Sequence, residues 1–535
     1  MQIASIASAY DERGGDVDTL ASAALIRGSV IVFLMLGVIA LSTFFFAGQS
    51  LRLDEAQSLW QTSRSPLAMF QVVAQDVHVP LYHLMLHYWQ VYLGNGVATA
   101  RVLSLIFFVM MIPAIYVLGA RAYSPPVGLF AAILTAASPF LNWYGNEIRM
   151  YSLFAFVTTV NQYYFLSLFA GSRRPDNTVK RSVWLMYGFS LIIGLCTHYF
   201  FSFNAAAQAL FYFTHKGRFP RRALRNFIII GCITLAIFTP WILFVINQGS
   251  AANTQPLLAK PTTIDLFNTF SQFMFGFQSD HINTILISLW PLLVLLIFLS
   301  LRRNQQIAPK TVYLFMSLFV PIILAFTLSD AIKPIYLSRY LILSLPALYV
   351  LVSWILSLYP ARLANMLKIG LTAAMILMLS VEISSAATPV KEDYRAASDY
   401  VTAHASPEDV IVLSAPFTVY PFEYYYRGPD SIQTLPLWDR YATGPIPAFS
   451  ETELTADVQT IKDSHQTLWL LLSYDQGYEQ AIRMYFDTHY ERTDNVNFSP
   501  GLNLYAYKLR YDQHPLSAVL RRLNTDNSSS TLSIR

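Results

Sequence analysis

The feature that most constrains this chain is a succession of long apolar runs set apart by short polar stretches. Hydrocarbon cannot hydrogen-bond a bare backbone, so a spanning helix needs about 20 mainly apolar residues. About eleven such runs are predicted, near 28–48, 98–120, 126–143, 149–170, 183–197, 199–214, 227–246, 283–301, 311–328, 340–358 and 367–384. Composition agrees: 54% of the 535 residues are apolar and only 13% are charged, against about 25% charged in soluble domains. That balance excludes an ordinary cytosolic protein, a disordered chain and a nucleic-acid binder. The first run is too long for a cleaved signal peptide. It also follows an acidic leader and lacks an obvious small-residue cleavage site. The two cysteines, Cys196 and Cys232, lie in apolar runs and form neither a disulfide framework nor a metal-cluster spacing.

Charge predicts an orientation. With the N-terminus in the cytoplasm, 17 Lys and Arg up to residue 385 fall inside and seven outside. The inner clusters are Arg173, Arg174, Lys180 and Arg181; Lys216, Arg218, Arg221, Arg222 and Arg225; and Arg302, Arg303 and Lys310. This is the positive-inside pattern, and with an odd number of spans it puts the tail outside the cytoplasm. Of 13 acids before residue 386, eight fall at the outer face: Asp54, Glu55, Asp76, Glu147, Asp265, Asp280, Asp330 and Glu382. Solvated loops account for several. Asp54, Glu55, Asp76 and Glu147 sit among aromatic and apolar residues, where an acid needs a partner or a task.

The expected organisation is a cytoplasmic leader (1–27), a transmembrane module (28–385) with a first outer loop at 49–97, an extracytoplasmic domain (386–523) and a disordered tail (524–535). The region from 386 on holds 19 of the 32 acids but only 12 of the 36 bases. In it, 391–405 and 478–490 read as amphipathic helices, 410–414 and 467–473 as buried strands, and 502–509 as a final alternating strand. The fold class predicted is therefore an α-helical polytopic membrane protein with a small C-terminal extracytoplasmic α/β domain.

Four polar constellations stand out. The first loop reads LRLDEAQSLWQTSRSPLAMFQVVAQDVHVPLYHLMLHYW over 51–89. Asp54 reads either as a helix N-cap or as a carboxylate that takes a proton from a nucleophile at the water–lipid boundary. The neighbouring Glu55 and the Asp76–His78 group favour the second. Asp76 and His78 together can hold a divalent metal, although two ligands are fewer than such a site uses. His83 and His87, at i and i+4, read as the polar side of an interfacial helix. The second constellation, NWYGNEIRMYSL at 142–153, offers Glu147, Arg149 and Tyr151, either as an ion pair closing a loop or as a site for a polar substrate. The third is His198 within THYF. The fourth, KPIYLSRYLILSLPA at 333–347, carries Lys333, Arg339 and Tyr340. Arg339 opens a span on the outer side, against the orientation rule. It either snorkels to lipid headgroups or presents its planar fork to a phosphate.

The runs LDEAQSLW, DVHVPLYHLMLHYW, ATARVLSLIF and NEIRMYSL, followed by SRYLILSLPAL and KEDYRAASDYV, resemble the bacterial branch of the C-type membrane glycosyltransferases. That branch is similar to the protein O-mannosyltransferases and the lipid A aminoarabinose transferases. The resemblance covers about residues 28–400. It implies transfer of a sugar from a polyprenyl-phosphate carrier at the non-cytoplasmic face of the cell (inner) membrane. The family's functional acid matches Asp54 and its companion acid matches Glu55. Some relatives hold a metal near the Asp76–His78 position and others do not, which leaves a divalent metal open. Val79-Pro80 stands where the family's proline pair is usual, so the loop shape differs.

The function expected is attack by an acceptor hydroxyl or amine, on a lipid, glycan or protein, at the C1 of a polyprenyl-phosphate-linked sugar. Asp54 and Glu55 are the candidate catalytic residues. Asp76, His78, Glu147, Arg149, Tyr151, His198, Lys333, Arg339 and Tyr340 are the candidates for binding, and membrane lipids are the surroundings. The rival is a transporter or flippase for lipid-linked saccharides without chemistry. It predicts polar groups near the bilayer midplane, whereas the charges here crowd one face.

Overall fold

The computed structural model describes residues 2–76, 78–170, 179–248, 258–288, 295, 302, 308–441, 446–462 and 465–509, with side chains from 22 on. The chain divides into two compact units. The first comprises Met1–Gln49 and Asp54–Lys391, and the second Ser50–Leu53 with Glu392–Arg535.

The first unit is helical. Among the described residues, six helices are long and apolar enough to cross a membrane: Ser22–Phe46, Val97–Ala122, Ala223–Asn247, Pro309–Ala331, Ser338–Ser357 and Ala361–Ser384. A seventh span arises if the pair Pro125–Ala137 and Pro139–Gly145, bent by 62°, counts as one. The other expected runs fall short of that length and apolarity or lie outside the described residues. Tyr151–Ala170 is 20 residues long, but Thr158, Thr159, Asn161 and Gln162 at its centre reduce its apolar character. Arg181–Thr197 and Phe201–Thr214 have 17 and 14 residues, short of a bilayer's thickness. The run at 283–301 lies mostly outside the described residues. Large apolar side chains such as Phe33, Ile228, Met366 and Ile369 are exposed on the spanning helices, as a lipid-facing surface requires.

Prolines open several helices at their first turn, where a missing N–H costs nothing. They are Pro66 of α3 (Pro66–Gln75), Pro80 of α4 (Pro80–Leu93), Pro125 of α6 (Pro125–Ala137) and Pro139 of α7 (Pro139–Gly145). In the same chain order α1 is Gln2–Leu41, α2 is Leu53–Thr62, α5 is Val97–Ala122 and α8 is Tyr151–Ala170. Helices α5 and α6 pack backbone to backbone through Gly119 and Gly128. A Cβ on Gly128 would lie 2.7 Å from Ala120 N, so only glycine permits the approach. This packing and the bend at Ser138-Pro139 set the loop 146–150 beside α2.

The second unit is a five-stranded mixed sheet with order β2-β1-β3-β5-β4. The strands are β1 (Val410–Ser414), β2 (Ser431–Thr434), β3 (Thr467–Ser473), β4 (Glu491–Ser499) and β5 (Leu502–Lys508). β1 pairs in parallel with β2 and β3, and β5 runs antiparallel to β3 and β4. Helices Tyr394–His404, Val419–Tyr425, Glu451–Lys462 and Glu479–His489 accompany the sheet. The core packs Val410, Val412, Leu468 and Leu470 against Val458, Ile482 and Phe486.

Candidate active site

Asp54 is the second residue of α2, one position inside the helix rather than at its cap. Its two carboxylate oxygens are held by different arginines. Arg149 Nη2 lies 2.9 Å from Oδ1, and Arg339 Nη1 donates to Oδ2 at 2.9 Å. Arg149 is buried, while Arg339 keeps 34% of its side chain exposed and Asp54 keeps 23%. The carboxylate thus closes the inner side of a partly open, doubly cationic patch. Burial pushes the Asp54 pKa up, but the two guanidinia more than offset this and hold it well below the ordinary carboxylate range.

Arg149 is in turn oriented by the first loop. Its Nη1 lies 3.0 Å from His78 Nε2 and 3.4 Å from Ser58 Oγ. A guanidinium has no lone pair to offer. His78 Nε2 must therefore accept, and its proton sits on Nδ1. Burial, then the Arg149 charge, hold the His78 pKa well below its ordinary value. Asp76 Oδ2, 3.6 Å from His78 Nε2, accepts from Gln57 Nε2 at 3.2 Å and Gln61 Nε2 at 3.1 Å. His83 is buried against His78, ring centroids 5.7 Å apart, and burial lowers its pKa to about 3.

Glu55 stands apart from this patch. It is 0% exposed, and Arg101 grips both its oxygens, Nε to Oε1 at 2.8 Å and Nη2 to Oε2 at 2.6 Å. Oε1 also accepts the Ile148 N–H at 3.1 Å. Arg101 Nη1 donates to the carbonyls of Phe46 and Gln49 at 2.8 and 2.9 Å. One buried ion pair therefore ties the end of the first span, α2, α5 and the 146–150 loop together. Sequence reasoning did not single out Arg101. The signal was available, because Arg101, like Arg339, is a basic residue inside an apolar run.

The remaining candidates fall into two groups. Tyr340 lies beside Arg339, whose guanidinium is 5.5 Å from its ring. Its ring centroid is 5.1 Å from His198 and 6.5 Å from Tyr151. His198 stacks on Phe154 at 4.8 Å and accepts the Phe200 N–H on Nδ1 at 3.1 Å, so the neutral ring carries its proton on Nε2. These residues form an aromatic wall next to the cationic patch. Glu147 is buried in the 146–150 loop, where its carbonyl accepts the Arg149 N–H at 2.7 Å. Lys333 is exposed in the segment before Arg339.

The donor set at Asp76 and His78 does not fit a divalent metal. The His78 Nε2 lone pair that a metal would need points at a guanidinium. Among the described residues no group of three or more His, Cys, Asp or Glu side chains converges as a metal site would require.

The helical spans and the appended α/β sheet have the GT-C fold of ArnT. Solved structures of ArnT from Cupriavidus metallidurans share it at 12% identity. The apo form matches with a TM-score of 0.59 over 89% of this chain and 97% of that one. The form bound to undecaprenyl phosphate matches with a TM-score of 0.57 over 90% and 98%. The apo oligosaccharyltransferase of Archaeoglobus fulgidus matches more loosely, with a TM-score of 0.49 at 12% identity over 83% of this chain and 69% of that one. No protein-family model and no curated protein matches the sequence.

Proposed function

We propose that the protein is an integral-membrane glycosyltransferase. It moves a sugar from a polyprenyl-phosphate donor to an acceptor at the non-cytoplasmic face, with the N-terminus in the cytoplasm and the α/β domain outside. The observation that carries this reading is Asp54 suspended between Arg149 and Arg339. A carboxylate and two guanidinia leave a surplus of one positive charge, which suits a phosphodiester entering from the lipid. Undecaprenyl phosphate bound to an ArnT of the same fold supports this choice of donor class.

The chemistry follows from these groups. The phosphodiester of the donor draws the Arg339 and Arg149 guanidinia to its oxygens. Asp54, relieved of its partners, regains basicity and accepts the proton of the acceptor hydroxyl or amine. The acceptor's lone pair forms a bond to the sugar C1, and the bond from C1 to the phosphate oxygen breaks. Its electron pair leaves on polyprenyl phosphate, so one displacement inverts the anomeric centre. The phosphate gains a negative charge in the step, and the guanidinia hold it more strongly than they held the donor. Tyr151, Tyr340 and His198 wall the sugar side. Asp76 and His78 act through Arg149, while Glu55 acts with Arg101 to place α2. Lys333, exposed before Arg339, is a candidate contact for donor phosphate or lipid headgroups.

The test is release of polyprenyl phosphate, read by mass spectrometry, from synthetic polyprenyl-phosphate sugars incubated with the purified protein and an envelope extract. Replacing Asp54 with Asn should keep the fold and the binding of undecaprenyl phosphate but slow transfer about 10²-fold or more. Wild-type turnover by that variant would remove Asp54 from the mechanism.

A further inference from the structure

Within the helical unit, a second cationic cluster lies at the far end of α8 from the Asp54 patch. Tyr151 opens α8 beside that patch, and Phe169 lies about 27 Å along the helix from it, at 1.5 Å per residue. There Phe165 and Phe169 pack on Phe219, in the turn between α10 (Phe201–Thr214) and α11 (Ala223–Gln248). The ring of Phe227 in α11 lies 5.1 Å from that of Trp184 in α9 (Arg181–Thr197), so the first turns of α9 and α11 are neighbours. A Cβ on Gly188 of α9 would stand 3.3 Å from Ile230 Cγ2 of α11, which shows how closely the two helices run.

The turn that carries the charge is firmly held. Phe219 is buried, the Arg218 N–H donates to the His215 carbonyl at 2.9 Å, and the Ala223 N–H donates to the Pro220 carbonyl at 2.9 Å. Around this plug Lys216, Arg218, Arg221, Arg222 and Arg225 are all exposed. Lys180 and Arg181, also exposed, add their charge at the start of α9. No Asp or Glu occurs between residues 177 and 264, and among the described residues none of these cations belongs to an ion pair. Arg181 and Arg225 stand in first turns that contain no acid, although that end of a helix dipole favours negative charge. The cluster repels itself and lacks a protein anion to balance it. Beside it lies an apolar flank. Leu185 and Phe189 of α9, and Leu224 and Ile228 of α11, are exposed pairs spaced i, i+4, so each pair shares one face of its helix.

Helix α11 is long and apolar enough to span a membrane, so the cations sit where it emerges from the hydrocarbon. A phosphodiester carrying acyl chains matches both parts: guanidinia hold its oxygens, and the apolar pairs lie against its chains. We propose that the starts of α9 and α11, with the turn before α11, bind an anionic glycerophospholipid at a site separate from the Asp54 patch. The inference rests neither on the glycosyltransferase reading nor on the proposed orientation, which serves only to assign the site to the cytoplasmic leaflet.

The experiment places the full-length protein in phosphatidylcholine nanodiscs with and without phosphatidylglycerol. Hydrogen–deuterium exchange of peptides covering 215–228 should slow several-fold when phosphatidylglycerol is present, while peptides covering 338–357 stay unchanged. In detergent, native mass spectrometry should find phosphatidylglycerol retained in preference to phosphatidylcholine. Arg218→Gln, Arg221→Gln and Arg222→Gln should each weaken that retention about fivefold, and added salt should weaken it further. Each single variant leaves the rest of the cluster in place, so fold and orientation stay as in wild type. Equal exchange at 215–228 in the two kinds of nanodisc would overturn the proposal. Wild-type retention in all three variants would overturn it too, leaving the cluster as an orientation signal only. If inorganic phosphate in phosphatidylcholine nanodiscs protects 215–228 as well as phosphatidylglycerol does, the site holds an adventitious ion only and the lipid assignment falls. A protein that transfers no sugar but passes these tests keeps the lipid site and loses only the glycosyltransferase reading.

Discussion

Replacing Glu55 with Gln separates a catalytic from an architectural acid. In its fully buried setting Glu55 accepts twice from Arg101 and once from the Ile148 N–H. A glutamine keeps one acceptor oxygen, but its NH2 faces a guanidinium that can only donate. Arg101 then keeps the glutamine oxygen and the carbonyls of Phe46 and Gln49, three of the four contacts above. Breaking a buried ion pair by removing one charged partner costs about 3–5 kcal/mol, a shift of roughly 10²–10³ or more in the folded-to-unfolded ratio. The loss should be concentrated where the pair reaches, at the end of the first span, α2 and the 146–150 loop. Two measurements follow: the thermal midpoint of the purified protein in detergent, and the rate of limited proteolysis within residues 50–97. Glu55→Gln should lower the first and raise the second, and Glu55→Gln combined with Arg101→Gln should be less damaged than either single variant, because the charge leaves with its partner. A Glu55→Gln protein with a wild-type midpoint, wild-type proteolysis and no transfer would make Glu55 a catalytic acid and refute the reasoning.

Three further outcomes are expected. Arg339→Ala should depress kcat as well as raise the donor KM, and Arg339→Lys should rescue only part of the loss, because an ammonium restores charge without the planar fork; equal activity of the Lys and Arg proteins would leave Arg339 as a snorkelling residue. His83, with a pKa lowered to about 3, takes up a proton more readily when unfolded. Its contribution to stability should be intact above about pH 6.5 and decline by about 1.4 kcal/mol per pH unit as pH falls from there toward the folded value. Thermal midpoints at pH 7 and pH 5 for wild type and His83→Phe check this, and an equally steep decline in the variant would discount His83. A reporter active only outside the cytoplasm, fused at Arg535, should be active; activity of a cytoplasm-only reporter there would invert the proposed topology.

What was legible in the sequence follows from what each segment must satisfy by itself. A spanning helix must be apolar over its whole length, so the long spans could be read directly. The elements around α8 could not be counted reliably, because helices buried among other helices tolerate amides. Asn161 Oδ1, for instance, accepts from Asn204 and Gln208 at 2.9 and 2.6 Å. In the α/β domain the strands covered on both faces, β1 and β3, are unbroken apolar runs and were found at their observed bounds. The edge strands β2 (SIQT) and β4 (ERTDNVNFS) carry too few apolar residues to announce themselves. The site divides the same way. Asp54 was legible from its loop and its neighbours. Its arginine partners were named separately, and nothing local joins Asp54 to an arginine 285 residues away. Glu55 was read as a second catalytic acid from its pairing with Asp54 and from the companion acid of the family it resembles. Adjacent residues of a helix point about 100° apart, and Glu55 turns inward to Arg101 while Asp54 faces the open side.

That divergence of two neighbouring carboxylates bears on how a base can be kept inactive until it is needed. With no donor bound, Arg149 and Arg339 must be neutralised, since a desolvated guanidinium without a partner is costly. Asp54 supplies the negative charge, and in doing so it becomes too weak a base to deprotonate an acceptor. On the proposed reading a donor phosphate replaces Asp54 as the partner of both arginines. One exchange of ion pairs then binds the donor and restores the base. In that proposal the same arginines would meet a phosphate whose charge grows as the C1–O bond breaks, and their attraction would be stronger in the transition state than in the donor complex. Glu55 stands outside such an exchange, because Arg101 holds both its oxygens and is shared with the carbonyls of Phe46 and Gln49. The fixed pair holds α2 in place, and the exchangeable pair, one residue earlier in the chain, is free to respond to the donor.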